Sequence, residues 1–295
     1  MHTIARSLIG DTNPPLVERI EISTPDDDFL ELDCAIQADS KAVIALFHGL
    51  EGSTKRYYMI ETMKQLISNN FSVIGVNFRS CGSKMNNQPR FYHSGETSDY
   101  KTVFRWIKEK YPGQKIGAIG FSLGANALIK YLAEENKNTP VKIAVAVSVP
   151  YDLRLGSILL SKGFHRVYNY YFLRTLRKKL EIKRQQFPGL PSFSGSTIYE
   201  FDDQITAKIH GFDSAEDYYE QCSARRFAEA VKTDTLFIHS REDPLCPLEA
   251  MPVAKINQNK FTDYIITEEG GHVGFWSRPR GWLNFVIENY LSSNV

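Results

Sequence analysis

The feature that most constrains this chain is a repeated alternation of short apolar runs with segments of helical periodicity. Ala42 to Phe47, Ser72 to Phe78, Lys115 to Phe121, Val141 to Ser148, Thr235 to His239 and Phe261 to Thr267 are too apolar to be half-exposed strands. A strand covered on both faces loses the alternation of a surface strand, and such runs are typical of parallel sheets. Between them, Lys55 to Ser68, Thr97 to Lys110 and Ala125 to Glu134 read as helices, and an amphipathic helix from Arg280 to Leu291 closes the chain. This spacing predicts an α/β fold with a mainly parallel central sheet and helices on both faces. Arg19 to Ser23 and Leu30 to Ile36 precede the alternation and suit antiparallel strands at one edge.

The rhythm stops at Pro150 and resumes at Thr235. A long irregular insertion in a regular α/β domain is usually functional. We therefore divide the chain into a core of residues 1–149 and 232–295 and a helical cap of residues 150–231. Within the cap, Arg166, Arg174, Arg177, Lys178, Lys179, Lys183 and Arg184 stand against Glu181 alone, whereas Glu200, Asp202, Asp203, Asp213, Glu216, Asp217 and Glu220 stand against Lys208 alone. Opposite charge in two halves of one insertion favours mutual pairing or solvated faces, with contact of the basic, aromatic run with a membrane surface as the less favoured alternative.

Chemistry concentrates in Gly120-Phe121-Ser122-Leu123-Gly124, a G-x-S-x-G sequence where an apolar run meets a helical one. In a nucleophile elbow the small flanking residues let strand and helix approach, and a strained turn presents the serine hydroxyl. Serine is a weak nucleophile at neutral pH. It needs a histidine to take its proton and a carboxylate to orient that ring. Elbow hydrolases place acid and base after the serine in that order. His272, in the glycine-rich turn Gly270 to Phe275, follows the last apolar run and suits the base. Ser240-Arg241-Glu242-Asp243-Pro244 follows the preceding strand, where open α/β sheets keep functional groups. Asp243 is preferred to Glu242 because Pro244 restrains it. Oxyanion donors are expected from the backbone amides of Leu123, after the nucleophile, and of Leu50, in the His48-Gly49-Leu50-Glu51-Gly52 loop. His48 precedes Ser122 and is read as shaping that loop.

Together Phe47 to Ser53, Asn77 to Gly82, Tyr92 to Asp99, Gly120 to Asn126, Glu200 to Phe212, Glu242 to Leu245 and Gly270 to Trp276 resemble one family. It is the YheT-like branch of the α/β-hydrolases, also called the AB hydrolase 4 family. The resemblance implies the α/β-hydrolase fold and a carboxylic-ester hydrolase whose triad is Ser122, Asp243 and His272. The chain departs from the family pattern at Glu242, where an aspartate is usual, and in the cap motif, which reads Thr206-Ala207-Lys208 where a proline is usual. Arg79, His93, Ser94 and Asp99 are expected to brace the second βα loop. Phe201-Asp202-Asp203 is expected to cap a helix or pair with basic residues, not to bind metal.

A formal net charge of +1, from 35 basic and 34 acidic side chains, argues against a nucleic-acid partner. Cys34, Cys81, Cys222 and Cys246 are widely spaced and read as reduced thiols. The start, MHTIARSLIGDTNPP, lacks the apolar core of a secretion signal, so a cytoplasmic location is expected. No metal or cofactor is expected. The partner is a small-molecule ester with an apolar acyl group, to suit a cap rich in aromatics such as Phe164, Tyr168, Phe187 and Phe193. Acyl transfer by the same triad and non-catalytic ligand binding are the alternatives. Oligomeric state cannot be read from the sequence.

Overall fold

The computed structural model describes residues 10–275 and 281–295. Its strands are β1 (Glu18–Thr24), β2 (Asp28–Ala35), β3 (Val43–Phe47), β4 (Ser72–Asn77), β5 (Ile116–Phe121), β6 (Val141–Val147), β7 (Asp234–Ser240) and β8 (Thr262–Thr267). They form one eight-stranded sheet in the order β1-β2-β4-β3-β5-β6-β7-β8. The strands from β3 to β8 pair in parallel, and β2 lies antiparallel to both β1 and β4. The expected antiparallel edge is therefore present.

Helices α1 (Tyr57–Ser68), α2 (Ser98–Lys110) and α3 (Leu123–Glu135) follow β3, β4 and β5. Alternation along β3 decides which helix each side chain meets. Val43, Ala45 and Phe47 join a core with Val103 and Phe104 of α2 and Leu128 of α3. Ile44 and Leu46 point the other way, into a core with Met59 and Met63 of α1. Each fully buried Leu, Ile or Phe stabilises the fold by about 1.5–3 kcal/mol, which makes β3 the anchor of both layers.

The segment between β6 and β7 carries α4 (Leu153–Leu160), α5 (Arg166–Gln186), α6 (Ile198–Phe201), a π-helical turn (Asp202–Thr206), α7 (Ala207–His210) and α8 (Ala215–Cys222). It has an apolar cluster of its own, formed by Leu160, Leu173, Leu180, Ile198, Phe201 and Ile205. Helix α9 (Val253–Gln258) then leads to β8, and α10 (Trp282–Asn294) packs Leu283, Ile287 and Leu291 beside α1. Arg280, the expected start of the last helix, and Trp276 of the last family block lie outside the described residues, as do residues 1–9.

The two charged halves of this segment do not pair with each other among the described residues, so of the two outcomes expected from their opposite signs it is not the mutual pairing that is seen. Lys179 reaches Glu51 of the core at 2.8 Å, and buried Lys183 donates to the carbonyls of Asn86 and Gln88. The acidic half is satisfied locally. Glu200 closes a capping box with Thr197, Glu216 pairs with Arg154 at 2.8 Å, and Glu220 pairs with Arg226.

Candidate active site

Ser122 sits between β5 and α3 at φ 53° and ψ −120°, a left-handed conformation costly for a residue with a side chain. Two glycines make room for it. A Cβ on Gly120 would lie 2.5 Å from the Ala125 backbone, and one on Gly124 would lie 2.5 Å from the His48 carbonyl oxygen. The turn is held by Ser122 N–H donating to Val147 O at 2.9 Å and Asn126 N–H donating to Ser122 O at 3.0 Å. The loop from His48 to Gly52 passes close to it. A Cβ on Gly49 would come within 3.1 Å of the Ser122 Cβ.

Bonding in that loop leaves one amide over. Gly49 N–H donates to the Tyr58 hydroxyl at 3.0 Å, Glu51 N–H to the Tyr92 hydroxyl at 2.7 Å, and Gly52 N–H to Gly49 O at 3.0 Å. Leu50 N–H has no acceptor among the described residues. Leu123, the first residue of α3, presents its amide as an unpaired helix N-terminus does. Leu50, Leu123 and Ser122 line one cavity.

His48 is fully buried and shapes the loop. Phe78 N–H donates to its Nε2 at 3.2 Å, so Nδ1 carries the proton and donates to Gly49 O at 2.7 Å. Burial lowers its pKa to about 3, which keeps the ring neutral.

His272 follows β8 and Asp243 follows β7. The structure brings them together: His272 Nδ1 lies 2.8 and 3.0 Å from the two Asp243 carboxylate oxygens. Asp243 Oδ1 also accepts from Leu245 N–H at 2.8 Å and Cys246 N–H at 3.0 Å. Both side chains are buried. Ser148 Oγ donates to the His272 carbonyl, tying the base's loop to the end of β6. Glu242, the less favoured acid, accepts from Gly270 N–H at 3.1 Å and so braces the turn that carries His272.

Several supporting residues escaped sequence reasoning. Glu51, buried and at φ 52°, accepts from the Tyr92 hydroxyl at 2.7 Å and from Lys179 of α5 at 2.8 Å. Arg56 donates to Glu51 O at 2.7 Å and to the Tyr171 hydroxyl of α5 at 2.6 Å. One helix thus pins the loop that carries Leu50 at two points. Asn126 is fully buried and donates to Ser94 O at 2.7 Å and Cys222 O at 2.8 Å, joining α3 to the loop after β4 and to α8. The only signal available was their membership of the family blocks or of charged runs.

The residues expected to brace divide into two groups. Arg79 does so, bonding Asp28 and Asp26 at 2.8 Å and Asp99 at 2.7 Å. His93 and Ser94 also reach the cavity wall, and His93 packs on His210 with ring centroids 4.4 Å apart and the rings tilted by 52°. Asp203 caps α8 through Ala215 N–H at 3.0 Å, as expected. Asp202 does neither of the expected things. It accepts from the hydroxyls of Tyr219 and Thr206 at 2.7 Å each and lines the cavity without a basic partner, and burial pushes its pKa up to about 6.

Two groups place three possible metal ligands within 4.8 Å of one another: His93, Glu96 and His210, and Asp243, Cys246 and His272. Their chemistry is committed elsewhere. Arg90 pairs with Glu96, burial holds the Cys246 thiol well above its usual range, and Asp243 and His272 bond each other.

The cavity measures about 130 Å³, room for on the order of ten water molecules, and its walls are mostly apolar, from Leu153, Leu160, Phe172, Leu176 and Leu245. A serine at an elbow, unengaged amides beside it and a carboxylate-bound histidine recur across one large group of proteins. Residues 42–279 match the sequence model described as alpha/beta hydrolase fold. The chain belongs to that family. It is 37% identical to the Putative esterase YheT of Escherichia coli (strain K12), over 95% of this chain and 85% of that one. It is 27% identical to the Monoacylglycerol lipase of Saccharomyces cerevisiae, over 94% of this chain and 63% of the other. Among solved structures it resembles the Pyrococcus furiosus esterase Pf2001 at a TM-score of 0.64 and 20% identity, covering 95% of this chain and 99% of that one. That last likeness speaks for the fold alone. The expected YheT-like membership is borne out.

Proposed function

We propose that this α/β-hydrolase cleaves carboxylic esters through an acyl-enzyme, with Ser122 as nucleophile, His272 as base and Asp243 as its orienting carboxylate. The observation that carries the reading is the buried Asp243–His272 pair, at 2.8 Å, held at the same sheet edge as the strained Ser122 elbow. Ser122 Oγ attacks the ester carbonyl while His272 takes its proton, and the same imidazolium then protonates the leaving alcohol. Asp243 fixes the ring so that Nδ1 keeps its proton and Nε2 serves as the base. The amides of Leu50 and Leu123 receive the developing oxyanion at no cost in reorganisation. Water, activated by His272, releases the acid.

Residues 150–231 act as a cap whose apolar side chains, Leu160, Phe172 and Leu176 among them, receive the acyl chain. The relatives named esterase and lipase support this choice of reaction. The test is turnover of p-nitrophenyl esters and labelling by a fluorophosphonate in wild type and Ser122→Ala. The substitution is expected to abolish both. Undiminished turnover in Ser122→Ala would refute the assignment.

A further inference from the structure

Helix α5 has two unlike faces. Its inner face contributes Phe172, Leu176 and Lys179 to the cavity wall. On the outer face Val167, Tyr170, Arg174 and Lys178 fall at i, i+3, i+7 and i+11, a single stripe at 3.6 residues per turn. That stripe is uncovered: Val167 is 52% exposed and Tyr170 68%, and Phe164 just before the helix is 68% exposed. Exposed apolar side chains grouped along one stripe mark an interaction surface.

The charge on this face is as informative. Arg166, Arg174 and Lys178 are exposed and form no ion pair among the described residues, while Glu181, on the same stripe, is matched by Arg184 at 3.6 Å. Arg166 opens the helix, where a cation opposes the helix dipole, so it is not there to stabilise α5. In the acidic half of the same segment Glu200, Glu216 and Glu220 are engaged with Thr197, Arg154 and Arg226, and among the described residues none of its acids pairs with this positive surface.

We propose that the outer face of α5, with Phe164, docks on an anionic lipid surface. The aromatics enter the boundary between headgroups and acyl chains, and Arg166, Arg174 and Lys178 meet the lipid phosphates. Since the opposite face of the same helix walls the cavity, docking holds that cavity about one helix diameter, ~10 Å, from the bilayer surface. Helix α5 lies in the interface plane; among the described residues no helix is long and apolar enough to cross a membrane.

The test is cosedimentation of the full chain, carrying Ser122→Ala so that lipid is not consumed, with two kinds of vesicle. One is phosphatidylcholine with about one-third phosphatidylglycerol, the other phosphatidylcholine alone. Binding to the anionic vesicles, weakened by salt, is expected. Each basic side chain near such a surface contributes about fivefold, so Arg174→Gln with Lys178→Gln lowers partitioning roughly 25-fold. Phe164→Ser with Tyr170→Ser lowers it by about tenfold or more. In the Ser122 background both double variants keep wild-type melting temperature and turnover of p-nitrophenyl acetate, which separates docking from folding and from catalysis. No binding to either vesicle, equal binding to both, double variants that bind like wild type, or a chain that ignores vesicles but self-associates through this face would each overturn the proposal. Failure of the Ser122 assignment would appear in ester turnover and leave the vesicle result standing.

Discussion

The contact between α5 and the oxyanion loop makes a quantitative prediction for Lys179→Met. Glu51 is 1% exposed and its carboxylate is held by Lys179, itself 17% exposed, and by the Tyr92 hydroxyl. Removing one partner of a buried ion pair costs about 3–5 kcal/mol because the other charge stays behind. Here Tyr92 remains and the site is slightly open, so about 2–3 kcal/mol is expected, a fall in Tm of roughly 3–5 °C for a chain of this length. Burial lowers the Lys179 pKa, but the Cys81 sulfur and the Glu51 carboxylate outweigh it and leave the group raised. A raised lysine contributes its stability fully below its unfolded pKa of about 10.4 and loses it only above that, so the deficit is constant from about pH 6 to 9.

The same contact bears on rate. The Glu51 backbone adjoins the Leu50 amide, and loss of a whole oxyanion donor costs about 10²–10³ in kcat. A loop that has lost one of two anchors is expected to forfeit about 10–100-fold in kcat with KM within about twofold, because the donor acts on the transition state. Thermal unfolding by circular dichroism and steady-state hydrolysis of p-nitrophenyl butyrate measure the two effects, and Lys179→Arg should recover most of kcat. An unchanged Tm would refute the energetic argument. A lowered Tm with unchanged kcat would reduce Lys179 to a structural contact.

Two further substitutions probe the site from other sides. In Gly124→Ala the new methyl would sit 2.5 Å from the His48 carbonyl oxygen, a backbone atom that cannot yield cheaply, so a loss of about 2 kcal/mol or more and much reduced turnover are expected; a denaturant midpoint equal to wild type would contradict the packing. Asp202→Asn should stabilise the protein at neutral pH. Burial raises this carboxyl to about 6, so its ionisation opposes folding as pH rises from about 4 to 6 and the full cost persists above; that cost is at most about 3 kcal/mol. Allowing for weaker bonds to Tyr219 and Thr206, a gain of about 1–2 kcal/mol at pH 7.5 that vanishes near pH 4 is expected. Urea titrations at both values check it, and a gain independent of pH would refute the assigned cause.

The sheet and the outline of the site were legible along the chain because their signals are local. Ala42 to Phe47 reads as a doubly buried strand from its own six residues, and Ser122 declares its elbow by the glycines two positions either side. The preference for Asp243 over Glu242 rested on a neighbouring proline; in the structure an Asp243 carboxylate oxygen lies 2.8 Å from His272 Nδ1. Helix α9 went unread because it is six residues long, follows Pro252 and buries only Ile256.

Partnership was the part that sequence could not supply. The charged halves of the segment between β6 and β7 invited pairing by sign, yet Lys179 is matched by Glu51, 128 residues away, and Asp202 by two hydroxyls. Charge attracts across space without regard to sequence, and the energy of a pair depends on burial and on which groups the packed layers bring within bonding distance. Sequence by itself determined the strands of the sheet, the helices that follow β3, β4 and β5, and the G-x-S-x-G turn at Ser122, since those follow from periodicity and steric limits over a few residues. Tertiary structure alone decided which Leu50 loop those strands hold over Ser122, and which face of α5 is left to the solvent.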